Sequence, residues 1–214
     1  MNIPYPLAPR VGADLSAWDD VVAGEVEVDR SLLRGVDLVG TTSMNVDASR
    51  IENCILTGLE LDKLDMADVA CVRLEAAVLR AYKTRLLRVQ ISDSRLTGVE
   101  FAEGRFEDCL FRNVKFNQAG FRFVNFKRVR FEDCMLAETD FSNAIFSKVT
   151  FVGCDLDATN FVSATCKDVD VTAVDLTKVK GVLGLKGATI SSGQLMQLAT
   201  LLASELGFRV EDTL

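Results

Sequence analysis

Large apolar residues recur at every fifth position through the middle of the chain. From Leu96 to Phe161 each residue in this phase is Leu or Phe, and eleven of the thirteen phenylalanines occupy it. The position two residues earlier is always small, as at Gly104 and Cys109. Because residues two apart in an extended chain point to the same side, one large and one small residue of each five are predicted to share an interior. The other three positions are predicted to face water.

The period of five fits none of the common amphipathic elements. A helix repeats every 3.6 residues, a strand every 2 and a heptad coiled coil every 3.5, so a solenoid of short extended segments and corners remains. The phase runs from Val46 to Leu176 without a slip. Upstream, Leu38 and Val46 are eight residues apart instead of five. We interpret the three extra residues as a surface loop or bulge near residues 40–43.

The repeat unit can be read directly as a small residue, a polar or variable one, and then Phe. Thr139-Asp140-Phe141, Ala144-Ile145-Phe146 and Thr159-Asn160-Phe161 show it. This pattern resembles the pentapeptide-repeat family over roughly residues 26–178. The resemblance implies an all-β fold, a right-handed quadrilateral parallel β-helix in which four units close one coil. The chain would then form about seven to eight coils.

The sequence predicts three parts. Residues 1–25 are an N-terminal cap in which Trp18 plugs the first coil together with Val21 and Val22. Residues 26–180 are the pentapeptide-repeat β-helix. Residues 181–214 form a C-terminal segment with an α-helix, because an open solenoid needs both of its ends covered.

The C-terminal helix is predicted to begin at Ser191 or Ser192 and to end at Gly207, since serine caps helix N-termini and glycine follows helix C-termini. Its apolar residues recur at helical spacing: Leu195, Leu198, Leu202 and Leu206. Two roles are open for this helix. It covers the last coil, or it also forms a homodimer contact, as the family resemblance implies.

Composition argues against catalysis. The chain has no histidine, which removes the most common general base and zinc ligand. Its six cysteines fall on interior positions of the repeat, where cysteine acts as a small apolar residue. We therefore predict no catalytic residue, no metal site, no cofactor and no small-molecule substrate. Neither a secretory signal nor an apolar run long enough to cross a membrane is visible, so a cytoplasmic location without membrane contact is expected.

Charge is uneven along the chain. The net charge is −7, yet the middle of the chain is basic and both ends are acidic. With twenty residues per coil, one outer side collects six candidate partner-binding residues: Arg85, Arg88, Arg105, Lys127, Arg128 and Arg130. Only Glu107 and Asp108 are expected to oppose them. This basic face either binds phosphates or an acidic protein, or is an unevenly charged solvated surface.

A few apolar residues take outward positions. Tyr82, Phe123 and Val162 are expected on one side of the rod, and Val72, Leu110 and Val152 on another. Single exposed apolar residues are normal, whereas a contiguous patch marks an interaction surface, and the sequence leaves this choice open.

We predict a non-enzymatic scaffold that presents a rod-like surface to a protein partner. The family resemblance implies an alternative, since known members protect DNA gyrase from fluoroquinolones and mimic the DNA duplex. The basic middle of this chain departs from that description. A second alternative is binding of nucleic acid or an acidic partner through the basic face.

Overall fold

The computed structural model describes residues 3–18 and 24–209 and is almost entirely parallel β-structure. Within these residues the strands are β1 Ser16–Ala17, β2 Gly24–Asp29, β3 Ser31–Arg34, β4 Thr41–Asp47, β5 Arg50–Glu52, β6 Glu60–Leu61, β7 Lys63–Val72, β8 Arg80–Ala81, β9 Arg85–Arg95, β10 Arg105–Lys115, β11 Asn125–Glu132, β12 Ile145–Val152, β13 Thr165–Ala173 and β14 Ala188–Thr189. A 3-10 helix, Val182–Leu185, and helix α1, Ser192–Glu205, follow the repeat.

Through the middle of the chain, from β4 to β13, strands pair with residues twenty positions later. Phe106 pairs with Phe126, and Phe126 with Phe146, always in parallel register. A spacing of twenty is four units of five, so four units close one coil. The chain forms a β-solenoid of about eight turns with one C-terminal helix. The fold class predicted from the sequence, a right-handed quadrilateral parallel β-helix, is confirmed.

The phenylalanines of the repeat fill the lumen. Ten of them are less than 2% exposed. Rings one coil apart stack, as Phe131 does on Phe111 and Phe151 with centroid distances of 5.1 and 4.9 Å. Rings on neighbouring sides meet edge to face, as Phe116 and Phe121 do at 5.3 Å. Each buried ring stabilises the fold by about 1.5–3 kcal/mol relative to exposure, so these stacks are the main source of stability.

The corners between sides require a left-handed backbone. Non-glycine residues with φ between 43° and 60° recur at corners, among them Arg88, Asp108 and Phe123. This conformation costs about 1–2 kcal/mol for most residues. The coil accepts that cost at every corner because the inter-coil hydrogen bonds and the filled lumen hold the backbone in place. Corner side chains therefore point outward in fixed positions.

The early coils are shorter than expected. Val28 pairs with Val46 and Leu33 with Ile51, so one coil contains eighteen residues instead of twenty. The sequence predicted a surface loop or bulge near residues 40–43. Strand β4 already begins at Thr41, which is 3% exposed, and its pairing with β2 shifts by one residue between Thr41 and Ser43. The eight-residue spacing reflects two residues missing from the ten that span two sides. One side of this coil is shortened, and Thr42, which is exposed, is the extra residue at a register shift between β2 and β4.

Both ends of the solenoid carry additional structure. Trp18 is partly buried against the first coils, whereas Val21 and Val22 lie outside the described residues. At the other end the Ser191 side chain accepts a hydrogen bond from the backbone N–H of Gln194 and so caps α1. The Gln194 side chain donates to the carbonyl oxygens of Val171 and Val174 at 2.6 and 2.7 Å. These bonds dock the helix on the last coil.

Candidate functional site

One corner of the solenoid carries an alternating column of opposite charges. Asp68, Arg88, Asp108 and Arg128 follow one another at intervals of one coil. The Arg88 guanidinium donates to both carboxylate oxygens of Asp68, each at 2.6 Å. Arg128 makes the same two-point contact with Asp108 at 2.7 and 2.6 Å. Such paired contacts fix both planes, so the carboxylates are rigidly oriented.

The arginines of the column stabilise the ionised form of both aspartates. The hydrogen bond from Arg88 lowers the pKa of Asp68. Burial raises the pKa of Asp108, but the hydrogen bonds from Arg128 and from the backbone of Leu7 more than offset it, and the net pKa lies below its ordinary value. Both carboxylates are therefore ionised at neutral pH and act as acceptors only.

Most of the six predicted basic residues are neutralised by carboxylates. Besides the two arginines of the column, Lys127 lies 2.9 Å from Glu107, Arg130 contacts Glu132, and Arg85 lies 3.8 Å from Asp65. Acidic partners are thus more numerous than the sequence indicated, because residues twenty apart come together across coils. Arg105 makes no ion pair within the described residues.

Arg105 is the clearest exposed cation on this side. It is exposed and lies directly above Arg85 in the parallel ladder between β9 and β10. Stacking two arginines one coil apart places like charges close together, which is unfavourable unless the surroundings compensate. The predicted basic face is therefore reduced to this small cationic spot beside a paired column.

An N-terminal segment covers the charged column. Residues 3–12, the N-terminal strap, lie outside the coils and form neither helix nor strand. The backbone N–H of Arg10 donates to Asp68 Oδ1 at 3.0 Å, and that of Leu7 to Asp108 Oδ1 at 3.4 Å. The strap runs along the rod against the direction in which the coils grow.

Tyr5 anchors the outer end of the strap. Its hydroxyl donates to Glu132 Oε1 at 3.3 Å and accepts from Arg112 at 3.0 Å. The guanidinium carbon of Arg130 lies 5.2 Å from the centroid of the Tyr5 ring, in cation–π contact. Tyr5 of the strap therefore contacts three residues at or beside the predicted basic face, Glu132, Arg112 and Arg130.

The strap buries part of the outer surface. Pro6 is buried, and Asp108 is only 2% exposed. Leu110, predicted on an outward position, is 7% exposed. Sequence reasoning missed this contact by assigning residues 1–25 to the end of the coil. The signal was present in the clustering of all three prolines at positions 4, 6 and 9.

A different side of the rod exposes large apolar residues. Tyr82 is 53% exposed, Phe123 57% and Val162 48%. They follow one another at intervals of about two coils, roughly 10 Å, along one edge. Phe123 occupies a corner with φ 60°, where a bulky residue is unfavourable. Val72 and Val152, which were also predicted on outward positions, are partly buried.

Helix α1 divides its leucines between two surfaces. Leu198 is 3% exposed and Leu202 is partly buried against the core, so these two cover the last coil. Leu195 and Leu206 are 55% and 57% exposed. Met196, off the predicted stripe, is 78% exposed. The four predicted helix residues therefore do not act as one surface.

The cysteines lie inside the coil, and none forms a disulfide. Burial raises the pKa of the Cys109 thiol to about 12 and that of Cys166 to about 11. The described residues contain no group of three or more acidic, cysteine or histidine side chains that could hold a metal ion. No helix in the described part of the chain is both long and apolar enough to span a membrane. The coils, the filled lumen and the fixed outer columns define a β-solenoid repeat protein.

Comparison with known proteins identifies the repeat. A family model described as a pentapeptide repeat region matches residues 124–182. Over these residues the chain is similar to the pentapeptide-repeat family. A search of curated proteins found no significant match.

Two solved structures are reported for their similarity to this chain. Trypsin-treated QnrB1, a plasmid-mediated fluoroquinolone resistance protein, is 17% identical over 90% of this chain and 100% of that chain, with a TM-score of 0.39. HetL, a pentapeptide repeat protein involved in heterocyst differentiation regulation from the cyanobacterium Nostoc sp. strain PCC 7120, is 15% identical. The match covers 79% of this chain and 91% of that chain, with a TM-score of 0.28.

Proposed function

We propose that the protein is a non-enzymatic scaffold that binds another protein through the exposed apolar edge formed by Tyr82, Phe123 and Val162. One observation carries this proposal: Phe123 is 57% exposed at a left-handed corner. The fold gains little from a phenylalanine there and accepts a backbone cost that asparagine or glycine would reduce. Exposed aromatic residues are common anchors of protein interfaces.

The rigidity of the coil supports the same proposal. The outward side chains are held at fixed intervals by a backbone ladder that is continuous from coil to coil. A partner therefore meets a preformed surface, and little conformational entropy is lost on binding. The absence of histidine and the burial of the thiols favour a binding role over catalysis.

The test compares two sets of substitutions on opposite sides. The edge variant Y82S/F123N/V162T removes the apolar anchors. The control variant I55T/M135S removes two residues that are 42% and 41% exposed on another side. Each protein is used as bait in a crosslinking capture experiment. The same partner protein should be recovered with wild type and with I55T/M135S, and should not be recovered with Y82S/F123N/V162T. Equal recovery by all three proteins would contradict the proposal.

The N-terminal strap and ion-paired column weaken the nucleic-acid alternative, which now depends on Arg85 and Arg105. If it held, binding to a random duplex would fall steeply with salt, and R85E/R105E would abolish it. DNA gyrase binding stays a hypothesis from the family resemblance. Titration into a supercoiling assay with and without a fluoroquinolone tests it, and no effect at large excess would dismiss it.

We also propose that the exposed face of α1 forms a homodimer contact. Leu195, Met196 and Leu206 present apolar surface that the last coil does not cover. Because these residues do not support the solenoid, L195E/M196E should leave the melting temperature unchanged and convert a dimer into a monomer in light scattering. A monomeric wild-type protein would disprove this contact.

A further inference from the structure

The surface beneath the N-terminal strap is organised before the strap binds to it. The backbone N–H groups of Arg10 and Leu7 in the strap donate hydrogen bonds to the carboxylates of Asp68 and Asp108. Each of these carboxylates is held in place by two hydrogen bonds from the arginine of the next coil. The acceptors are therefore oriented by the coil and not by the strap. Such a preoriented set of acceptors reduces the cost of binding a peptide.

The spacing of these acceptors matches an extended proline-rich chain. Asp68 and Asp108 are two coils apart, about 9.6 Å at the usual strand separation. Their donors, Arg10 and Leu7, are three residues apart in the strap, and three residues of polyproline II helix span about 9.3 Å. One turn of such a helix therefore corresponds to two coils of the rod.

The burial of the strap follows the same three-residue period. Within residues 3–10, Ile3 and Pro9 are partly buried, Pro6 is buried and the other residues are exposed; Val11, which follows, is also partly buried. A polyproline II helix has three residues per turn, so one of its three faces packs on a flat surface. Proline suits that face because its φ is already fixed and its nitrogen needs no hydrogen-bond acceptor.

We propose that this face is a binding site for extended segments of other proteins that carry proline at every third position, and that the strap occupies it in cis. Another extended segment can replace the strap, because the strap forms no strand with the coils. It is held by hydrogen bonds at Tyr5, Leu7 and Arg10. The corner column is separate from the apolar edge proposed above, so either site can fail without the other.

The first experiment uses the full-length chain and a fluorescent peptide with the sequence of residues 3–12. In wild type the attached strap competes with the peptide at an effective concentration of about 1 mM, so binding is weak. The full-length variant P6G/P9G loosens the attached strap and should bind the peptide at least about tenfold more tightly. Fluorescence anisotropy measures both affinities. Equal affinities for wild type and P6G/P9G would overturn the proposal.

The second experiment changes only the peptide. Methylation of the backbone nitrogens of Leu7 and Arg10 removes the two donors and should abolish binding to P6G/P9G. Methylation at Tyr5 is the matched control, because this nitrogen also follows a proline but donates no hydrogen bond within the described residues. Equal loss with both modified peptides would refute recognition by the aspartates.

A third measurement needs no variant. In wild type, excess unlabelled peptide should accelerate hydrogen exchange at the Leu7 and Arg10 amides as the strap is displaced. If the hydrogen-exchange rates stayed unchanged at a peptide excess that saturates P6G/P9G, the peptide would not displace the strap from this face and the proposal would be overturned. If the strap of a second copy were the occupant, the peptide would dissociate a dimer in light scattering. That result would overturn the assignment of the strap to its own chain.

Discussion

Replacing Phe126 with alanine tests whether the stacked rings stabilise the solenoid. Phe126 is fully buried and contacts five other rings. It stacks on Phe146 at 5.1 Å with an interplanar angle of 6° and meets Phe106 edge to face at 5.3 Å. Removing it leaves a cavity between coils that are tied together by backbone hydrogen bonds above and below, so the site has little room to collapse.

The size of the effect follows from these contacts. Loss of a buried phenylalanine costs about 3–5 kcal/mol, and the value grows with the volume of the cavity that remains. Each aromatic pair adds about 0.5–1.5 kcal/mol beyond burial. Because Phe126 has five ring partners and a rigid surrounding backbone, we expect a loss near the upper end, about 4–5 kcal/mol.

The matched control is Phe123→Ala, three residues away at an exposed corner. It removes the same atoms from a side chain that is 57% exposed and has no ring contacts among those that Phe126 makes, so the free energy of unfolding should change by less than about 0.5 kcal/mol. Denaturant unfolding followed by far-UV circular dichroism measures both variants, and the slope with denaturant checks that unfolding stays cooperative. If the two variants differed by less than about 1 kcal/mol, the stacked lumen would not be the main source of stability.

Three further results are expected. First, the folded state lowers the pKa of Asp68, Asp108 and Glu132 through their arginine partners, so their stabilisation is complete above about pH 5 and is lost as the pH falls through the lowered values. The melting temperature should drop in that range, and D108A/R128A should flatten the drop; an unchanged acid profile would contradict this. Second, Gly184→Ala should cost about 1–3 kcal/mol, because a Cβ there would lie 1.8 Å from the carbonyl oxygen of Phe161. Gly193→Ala in α1 is the control and should be neutral or stabilising by about 0.5–1 kcal/mol, since it meets only Ser191 Oγ at 3.9 Å; equal losses would argue against the steric explanation. Third, a thiol reagent should modify native protein slowly and should reach Cys166 first, because the other five cysteines are buried; rapid labelling of all six would show that the coils open readily.

The repeat could be read from sequence because its signal is local and redundant. Every unit has one large and one small interior residue in the same positions. Parallel stacking of the coils then places Phe106 next to Phe126. The C-terminal helix was equally accessible, since the Ser191 cap and the leucine spacing are local features. The short coil was misread because the spacing from Leu38 to Val46 fits an insertion or a deletion equally well. Only the pairing of Leu33 with Ile51 distinguishes them.

The candidate sites were harder to predict from the sequence, for a different reason. The sequence by itself determined which residues face the lumen and which face outward, because that depends on a period of five. Tertiary structure decided what the outward residues do: it paired Arg88 with Asp68 and Arg128 with Asp108, and it laid the strap over both pairs. Leu7 contacts a residue 101 positions away, and no periodic pattern encodes such a contact. It arises because two coils of the rod and three residues of an extended proline-rich segment have nearly the same length.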